Sequence, residues 1–299
     1  MAATFQTMPI AQLSDLSADD RAQIRAIGCL FDPLGGEQMD MLPNLEIISS
    51  FGVGYDHIDA DVAAKRGVIV THTPGVLDDE VADTAIGLLL NTLRELPRAE
   101  AYLRAGRWAG EGTYPLTQLT LRERTVGIFG LGRIGQAIAR RLTGFGVDVH
   151  YHNRRPVDGI DHTYHSDLDS LADACDTIIN VVPATAETQG IINADIFNRL
   201  GPNGVFINVG RGTTVNETDL IAALEQGTIA AAGLDVYTDE PNVPQGLLDA
   251  PNTVLLPHVA SASEHTRIAM GNLVVDNLIT WFTQRRVLTS VPETAHLTP

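Results

Sequence analysis

Three polar residues in the second half of the chain are of types that transfer protons and hold anions. Arg211 lies in "INVGRGTTVNE", Glu240 in "GLDVYTDEP" and His258 in "LLPHVASASEHTR". Each segment begins as an apolar run typical of a strand, and ligands of open α/β sheets bind beyond the carboxyl ends of the strands. Any one of these residues alone is unremarkable. Together they predict a site at which the three loops converge.

A glycine-rich loop precedes these residues. The segment "TVGIFGLGRIGQAIARRL" predicts a strand, a GxGxxG turn and then a helix, followed by a second strand. The glycines allow a tight turn, a close approach of pyrophosphate to the backbone, and close packing of helix on strand. The helix N-terminus adds N–H groups and a positive dipole end. The loop therefore predicts a dinucleotide site at Gly130, Leu131, Gly132, Arg133, Ile134 and Gly135.

Two adjacent arginines follow the next predicted strand, in "VDVHYHNRRP". In NAD-binding domains an Asp or Glu lies about 20 residues beyond the glycine loop and binds the ribose 2′-OH. Asn153 occupies that position here, and Arg154 and Arg155 come directly after it. Guanidinium groups bind phosphate in a bidentate manner. The segment therefore favours NADP(H) over NAD(H); the alternative is that both arginines face solvent and NAD(H) is used.

Short apolar runs alternate with helical patterns along most of the chain, which indicates an α/β fold with parallel strands covered on both faces. Three strand candidates precede the glycine loop and are expected to form a separate α/β unit. The first segment, "MAATFQTMPIAQLSD", is a poor strand. The predicted strands are "AIGCLF", "LEIIS", "GVIVTH", "TVGIFG", "VDVHYH", "DTIINVV", "GVFINV", "AAGLDV" and "NTVLLP".

A long apolar helix is predicted in "EVADTAIGLLLNTLREL", between the early strands and the glycine loop. It is apolar on more than one face, as is usual for a helix buried on several sides. An interdomain core helix and a subunit interface are both open interpretations. The uncharged part of this segment is much shorter than the roughly 20 residues that span a bilayer.

Composition limits the partners. The 299 residues include 20 Lys and Arg against 37 Asp and Glu, and the net charge of -17 argues against nucleic acid or an anionic membrane. Cys29 and Cys175 are far apart and form no CxxC pair, so neither a disulfide framework nor a metal site is expected. No signal peptide is visible. These features predict a reduced, cytoplasmic protein that binds a small molecule.

Six ordered segments resemble the D-isomer-specific 2-hydroxyacid dehydrogenase family, over essentially the whole chain. The resemblance is strongest to its NADPH-dependent glyoxylate/hydroxypyruvate reductases. It implies two doubly wound parallel-sheet α/β domains, with a Rossmann-type nucleotide domain (79–264) inserted into a flavodoxin-like substrate domain (1–78 and 265–299). It also implies a homodimer built around the helix near 80–96. The segments are "FGVGYDHID", "THTPGVLDDEVAD", "VGIFGLGRIGQAIA", "NVGRG", "GLDVYTDEP" and "PHVASASEHTR".

The resemblance also implies roles for the three polar residues. His258 matches the family's general acid/base, Glu240 its carboxylate partner, and Arg211 the arginine that holds the substrate's carboxylate and carbonyl. Reduction of a 2-keto acid needs a hydride for the carbon, a proton for the carbonyl oxygen and a clamp for the carboxylate. The cofactor performs the hydride chemistry, and the protein supplies the rest.

Further positions follow from the same resemblance. The backbone amides of Val53 and Gly54 are expected to bind the substrate carboxylate, although a structural turn is the alternative. Arg267 resembles an arginine that reaches the substrate in some hydroxypyruvate-reducing members, and is equally compatible with a surface helix. Trp108 either borders a neighbouring active site in the dimer or packs in the core. Cofactor contacts are expected from Asp235, near the nicotinamide carboxamide, and from Val182 and Pro183.

The leading functional prediction is an oxidoreductase that reduces glyoxylate, hydroxypyruvate or a similar small 2-keto acid to the D-2-hydroxy acid with NADPH. The alternative is an NAD-dependent D-2-hydroxyacid dehydrogenase of broader scope, acting on arylpyruvates or 2-ketoaldonates. A dinucleotide-sensing, corepressor-like binding protein is a remote third possibility, because the chain lacks the added interaction tails that such a role invites.

Overall fold

The computed structural model describes residues 5–8, 10–30 and 32–298. Its strands are β1 Ala26–Cys29, β2 Ile47–Ser50, β3 Ile69–Thr71, β4 Thr125–Phe129, β5 Asp148–His152, β6 Thr163–His165, β7 Thr177–Asn180, β8 Val205–Asn208, β9 Ala231–Leu234 and β10 Thr253–Leu255. Its α-helices are α1 Ala18–Arg21, α2 Gly36–Asp40, α3 Ala60–Lys65, α4 Asp78–Arg94, α5 Leu96–Arg104, α6 Arg107–Glu111, α7 Arg133–Thr143, α8 Leu168–Ala174, α9 Ala194–Leu200, α10 Glu217–Glu225, α11 Gln245–Asp249 and α12 Glu264–Gln284. Short 3-10 helices cover Ile10–Asp15, Gly212–Thr214 and Pro292–Leu297.

The chain divides into two compact units. The smaller unit combines Met1–Leu77 with Ser263–Pro299, and the larger one is the continuous segment Asp78–Ala262. These limits lie within two residues of the domain boundaries expected from the sequence. The roles assigned to the two units, substrate binding and dinucleotide binding, stay predictions at this point.

A seven-stranded parallel sheet forms the centre of the larger unit, in the order β10-β9-β8-β7-β4-β5-β6. The strand order reverses between β4 and β7, so the connections that leave their carboxyl ends run in opposite directions. They leave a crevice between them, and sheets of this kind bind ligands in such a crevice. Helices α4 and α7 pack together, and α8 lies against β4 and β5. The predicted α/β class and all nine predicted strands are confirmed. The sequence patterns missed β6, an edge strand of three residues.

The long helix α4 packs within the larger unit against α7, β8 and β9. Its buried residues include Val81, Ala85 and Leu89, which lie four residues apart and therefore on one face. The chain turns at Glu95, whose φ is 50°, before α5 begins. Trp108 on α6 is 60% exposed, so the predicted core packing of this tryptophan is wrong. Among the described residues, no helix has the length and apolarity needed to cross a membrane.

The smaller unit contains a three-stranded parallel sheet in the order β1-β2-β3. Helix α12 packs on β2, and an antiparallel bridge joins Thr71 to Ser290. The N-terminal segment, whose sequence fits a strand poorly, contains the Ile10–Asp15 3-10 helix. Residues 1–4 and 9 of this segment lie outside the described residues. The core of this unit therefore draws on both the beginning and the end of the chain.

Candidate active site

The three polar residues singled out in the sequence lie on loops that follow adjacent strands of the larger sheet. Arg211 follows β8, Glu240 follows β9, and His258 follows β10. The three strands are neighbours and run parallel, so their carboxyl ends meet at one edge of the sheet. The structure thus brings these loops together where the sequence predicted that they would converge.

His258 and Glu240 form a hydrogen-bonded pair. The Nδ1 atom of His258 lies 2.7 Å from Oε2 of Glu240, and their side chains are 30% and 34% exposed. The other carboxylate oxygen of Glu240 accepts a hydrogen bond of 3.0 Å from the Tyr237 N–H. The carboxylate therefore holds the imidazole in one orientation, and is itself held by the backbone of its own loop.

The pKa of Glu240 lies below its ordinary value. Burial raises this pKa, but hydrogen bonds from His258 and the Tyr237 N–H, with the positive charges of His258 and Arg211, outweigh burial. Glu240 is therefore ionised at neutral pH. Because its pKa is lower in the folded chain than in the unfolded chain, the interaction stabilises the fold above the unfolded value. That contribution is lost as the pH falls through the folded value.

Asp235 fixes the segment that carries His258. It is 1% exposed, and its two carboxylate oxygens accept the N–H groups of Val259 and Ala260 at 2.8 and 2.9 Å. Its backbone carbonyl accepts the His258 N–H at 2.8 Å. Burial raises the pKa of Asp235, against the lowering effect of the two backbone hydrogen bonds. His258 is thereby held with φ at 52°, in the left-handed region.

Two buried asparagines shape the Arg211 loop. Asn180 ends β7 and Asn208 ends β8, and the Nδ2 of Asn180 donates to Oδ1 of Asn208 at 2.9 Å. The Nδ2 of Asn208 donates to the Arg211 carbonyl at 3.1 Å, and the same carbonyl accepts from Thr214 Oγ1 at 2.6 Å. The sequence patterns did not single out these asparagines. They could have been recognised as polar residues at the ends of two apolar strands.

The glycine loop has the geometry of a dinucleotide cradle. Gly130 has a φ of 102°, and a Cβ there would lie 2.9 Å from Cγ1 of Val182. A Cβ at Gly135 would collide with the Gly130 carbonyl oxygen, so only glycine allows α7 to begin so close to β4. Helix α7 starts after Gly132, which meets nothing on the side where a Cβ would lie. These features fit a bound pyrophosphate.

Asn153 contacts this loop directly. Its Oδ1 accepts a hydrogen bond of 2.6 Å from the Leu131 N–H, while the Gly130 N–H donates to the His152 carbonyl at 3.0 Å. Because the asparagine oxygen faces Leu131, the polar group it retains is the Nδ2 amide, which only donates. A carboxylate in the same position would keep a second acceptor oxygen for a ribose hydroxyl. The arrangement therefore offers a donor to a phosphate oxygen and lacks the carboxylate that usually accepts from the ribose hydroxyl.

Arg154 and Arg155 are exposed at the start of the following turn. Two tyrosines anchor this turn: the Val157 N–H donates to the Tyr151 hydroxyl at 3.1 Å, and the Tyr164 hydroxyl donates to the Asn153 carbonyl at 3.2 Å. The turn is therefore fixed at both ends, and its two guanidinium groups reach solvent beside the glycine loop.

The remaining predicted cofactor residues have different surroundings. Val182 is buried against Gly130, and the Pro183 carbonyl accepts a hydrogen bond of 2.8 Å from Thr188 Oγ1. Both follow β7, beside the glycine loop that follows β4. Within the glycine loop, Leu131 is buried and Arg133 is exposed, while Ile134 is half-buried.

The predicted substrate residues outside this unit lie in the smaller one. Val53 and Gly54 follow β2 in the segment 51–56, and both are half-buried. The guanidinium carbon of Arg267, on α12, lies 5.6 Å from the centre of the Phe51 ring. Arg267 is therefore placed against the same segment that carries Val53 and Gly54.

Comparison with known proteins agrees with this geometry. The sequence profile of the D-isomer specific 2-hydroxyacid dehydrogenase NAD-binding domain matches residues 86–260. The chain belongs to the D-isomer-specific 2-hydroxyacid dehydrogenase family. The predicted family is thus confirmed.

Individual members of this family show how closely the chain is related to them. A crystal structure of an NADPH-dependent glyoxylate/hydroxypyruvate reductase from Sinorhizobium meliloti, in complex with NADP and malonate, is 57% identical. It has a TM-score of 0.92, and the match covers 95% of this chain and 88% of that one. The hydroxyphenylpyruvate reductase of Plectranthus scutellarioides is 45% identical, over 85% of this chain and 81% of the relative. The 2-ketogluconate reductase of Gluconobacter oxydans is 44% identical, over 85% and 82%.

The turn that carries Arg154 and Arg155, here called the arginine turn, gives a testable prediction about cofactor binding. In the double variant Arg154→Ala and Arg155→Ala, we expect the Kd for NADPH to rise about tenfold or more, because charged hydrogen bonds to a phosphate are lost. The Kd for NADH should stay within about twofold, since NADH has no 2′-phosphate. Isothermal titration calorimetry with both cofactors measures the two effects.

Arg140→Ala provides the control, because Arg140 is an exposed arginine of α7 whose nearest carboxylate is that of Asp79. Equal losses of NADPH and NADH affinity in the double variant would contradict the role of the arginine turn.

Proposed function

We propose that the chain is an NADPH-dependent reductase that converts small 2-keto acids to D-2-hydroxy acids, with glyoxylate and hydroxypyruvate as the leading substrates. The single observation that carries the proposal is the 2.7 Å pair between His258 and Glu240, with Arg211 on the neighbouring loop. An imidazole paired with an ionised carboxylate is suited to donate a proton at neutral pH. The 57% identical reductase from Sinorhizobium meliloti supports the choice of substrates.

His258 is the general acid in this mechanism. Glu240 binds Nδ1, so Nε2 delivers the proton to the substrate's carbonyl oxygen as that oxygen gains charge. The negative charge of Glu240 favours the protonated ring, and its fixed position aims the ring without reorganisation during the reaction. Arg211 binds the substrate's carboxylate and carbonyl, and its positive charge offsets the developing oxyanion.

The proposal also assigns substrate contacts to three residues of the smaller unit. The N–H groups of Val53 and Gly54 bind the substrate carboxylate, as the family resemblance implies. Arg267 adds positive charge from α12, where it packs on Phe51. Backbone amides suit this task because they are neutral donors of fixed direction, which bind an anion without a counter-charge.

NADPH, when bound, supplies the hydride. The pyrophosphate is held at Gly130, Leu131, Gly132 and the start of α7, where Arg133, Ile134 and Gly135 follow. Asn153, Arg154 and Arg155 take the 2′-phosphate, and Val182 and Pro183 line the cofactor site. Asp235, which also orders the His258 segment, lies near the nicotinamide carboxamide in this proposal.

The substrate range defines the alternative function. The relatives named as hydroxyphenylpyruvate reductase and 2-ketogluconate reductase favour a broader enzyme that accepts arylpyruvates or 2-ketoaldonates. NAD(H) is the cofactor in that alternative, which leaves Arg154 and Arg155 without a phosphate to bind. The net charge of -17 supports a small-molecule partner over nucleic acid or a membrane surface in either case.

A reduced, cytoplasmic location is also proposed. Cys29 and Cys175 are both unpaired and buried, which fits a compartment that keeps thiols reduced. Burial raises the pKa of each thiol to about 12, so neither is a reactive thiolate. Quantitative thiol labelling of the purified, unfolded chain without reductant should find both cysteines free; a disulfide would contradict this location.

A kinetic panel tests the proposed function. With NADPH, the purified chain should reduce glyoxylate and hydroxypyruvate with higher kcat/KM than phenylpyruvate or 2-ketogluconate. His258→Ala should lower kcat by at least about 100-fold, the usual contribution of general acid catalysis, with an NADPH Kd within about twofold. No turnover of any keto acid, or full activity of the variant, would overturn the proposal. A preference for phenylpyruvate or 2-ketogluconate with NADH would favour the alternative.

The charge of Glu240 predicts a change in rate. In Glu240→Gln the imidazole loses the charged acceptor at Nδ1, so kcat for glyoxylate reduction with NADPH should fall about tenfold or more, the scale of one charged hydrogen bond. The KM for NADPH should stay within about twofold, because Glu240 is not among the proposed cofactor contacts. Glu217→Gln is the matched control, because Glu217 accepts the Thr238 N–H in the same region and should leave kcat unchanged. An unchanged kcat for Glu240→Gln would contradict the role given to Glu240.

A homodimer is the proposed assembly. Four large apolar residues are exposed on and beside α5 and α6: Leu96, Leu103, Trp108 and Leu116, of which Leu116 is 91% exposed. Large apolar side chains exposed on neighbouring helices support a protein interface here. Light scattering should give the molar mass of two chains, and Trp108→Glu with Leu116→Glu should shift it toward one chain. A single-chain mass for the unmodified protein would contradict the dimer.

A further inference from the structure

The segment 51–56, which carries the proposed carboxylate-binding amides, is tied to the end of β3 by two hydrogen bonds. The Thr73 N–H donates to the Gly52 carbonyl at 2.8 Å. The ring nitrogen Nδ1 of His72 lies 2.8 Å from the Val53 carbonyl oxygen. A third bond, from the Phe51 N–H to the Cys29 carbonyl at 2.7 Å, fixes the start of the segment. Consecutive carbonyls of this loop therefore both face residues 72 and 73.

The direction of these carbonyls decides the direction of the two amides. In a trans peptide, the C=O of one residue and the N–H of the next point to opposite sides. Since the Val53 carbonyl faces His72, the Gly54 N–H points away from His72. The Gly52 carbonyl faces Thr73, so the Val53 N–H points away from Thr73 in the same way. The direction of both amides is thus set by hydrogen bonds to the carbonyl on the opposite side of each peptide unit.

The histidine ring is itself held in place. A carbonyl oxygen only accepts hydrogen bonds, so Nδ1 of His72 must carry the proton. The ring meets Tyr55 edge-on, with centroids 5.5 Å apart, and the Tyr55 hydroxyl donates to the Glu293 carboxylate at 3.1 Å. On the backbone, the His72 N–H donates to the Thr289 carbonyl at 3.1 Å, and Thr289 Oγ1 donates to the His72 carbonyl at 2.6 Å.

We propose that His72 is a positioning residue for substrate binding: its Nδ1–H holds the Val53 carbonyl and thereby aims the Gly54 N–H at the substrate carboxylate. This inference rests on the proposed function, in which the Val53 and Gly54 amides bind that carboxylate. Thr73 supports the Val53 amide in the same way through its backbone N–H, which every substitution except proline leaves in place. His72 is therefore the support that a change of side-chain donor can test.

The hydrogen bond also strengthens the amide that it aims. A donor at the carbonyl polarises the peptide unit and makes its N–H a better donor, because hydrogen bonds in a chain reinforce one another. Removal of the His72 donor should therefore weaken the grip on the carboxylate in two ways, by loss of direction and by loss of polarity. Neither effect reaches the hydride or the proton transfer, so binding should suffer while chemistry does not.

Three substitutions at His72 separate the donor from the ring. Asn places a side-chain N–H at the same distance from the backbone as Nδ1, Leu fills similar space without a donor, and Phe keeps a ring against Tyr55 without a donor. His72→Leu and His72→Phe should raise the KM for glyoxylate about tenfold, the scale of one charged hydrogen bond. His72→Asn should stay within about threefold of the unmodified enzyme. The inhibition constant of oxalate, a non-reacting analogue, should rise by the same factor as the KM.

The remaining readouts guard against a general structural effect. In all three variants kcat should stay within about twofold, and so should the KM for NADPH. His296→Ala, which removes an exposed histidine of the same unit, is the matched control and should change nothing. The Phe variant is made alongside the Leu variant so that the test does not depend on a single substitution that folds.

Each outcome has one meaning. An unchanged glyoxylate KM in both donorless variants would overturn the inference, and so would an Asn variant as impaired as the Leu variant. A parallel rise in the KM for NADPH would reduce His72 to a structural role and overturn it too. Failure of the proposed function is separate, because there the unmodified enzyme itself reduces no keto acid.

Discussion

Asp235 accepts the N–H groups of Val259 and Ala260 through its two carboxylate oxygens, while its carbonyl accepts the N–H of His258. The backbone N–H groups of three consecutive residues, 258 to 260, therefore all donate to Asp235. A non-glycine residue in the left-handed region costs about 1–2 kcal/mol, and His258 occupies that region only because this contact holds it there. The distance between His258 and Glu240 depends on that backbone position. A buried carboxylate that takes no part in the proposed proton transfer thus fixes the backbone of His258, the proposed proton donor.

The parallel sheet supplies the second constraint. Strands β4, β7, β8, β9 and β10 all end at the same edge, so residues far apart in the sequence meet without long loops. Two of these strands, β7 and β8, end in a buried asparagine. Asn180 donates to Asn208, and Asn208 donates to the Arg211 carbonyl, so the backbone of the loop that carries Arg211 is tied to the ends of both strands. Groups placed in this way need little rearrangement when a substrate binds, and that lowers the barrier to reaction.

The parts of the fold that followed from the sequence share one physical cause. A strand covered on both faces is mostly apolar, so β4, β7 and β8 stand out as nearly continuous apolar runs. Strand β6, with the sequence Thr-Tyr-His, lies at the edge of the sheet, where polar residues are tolerated, and it therefore had no signal. The prediction that Trp108 packs in the core was wrong: its side chain is mostly exposed on the short helix α6.

The site shows the same division. The residues proposed to act on ligands, such as His258 and Arg211, follow strands and are of reactive types, so their position and their chemistry both predicted a role. The residues proposed to orient the ligand-binding groups form contacts across the fold. His72 reaches Val53 only because β2 and β3 are neighbours, and no spacing in the sequence encodes that contact. Supporting residues of this kind become visible only when hydrogen bonds are traced in three dimensions.

The interrupted layout of the smaller unit also sets the order in which the chain completes its folding during synthesis. Val291 is fully buried in the core of that unit, and its N–H donates to the Val70 carbonyl. The ribosome makes all of residues 78–262 between these two partners. The larger unit is one continuous segment, so all of its strands are made before the ribosome reaches Ser263–Pro299, the second segment of the smaller unit. The first strands to be made, β1 to β3, therefore belong to the last core to close.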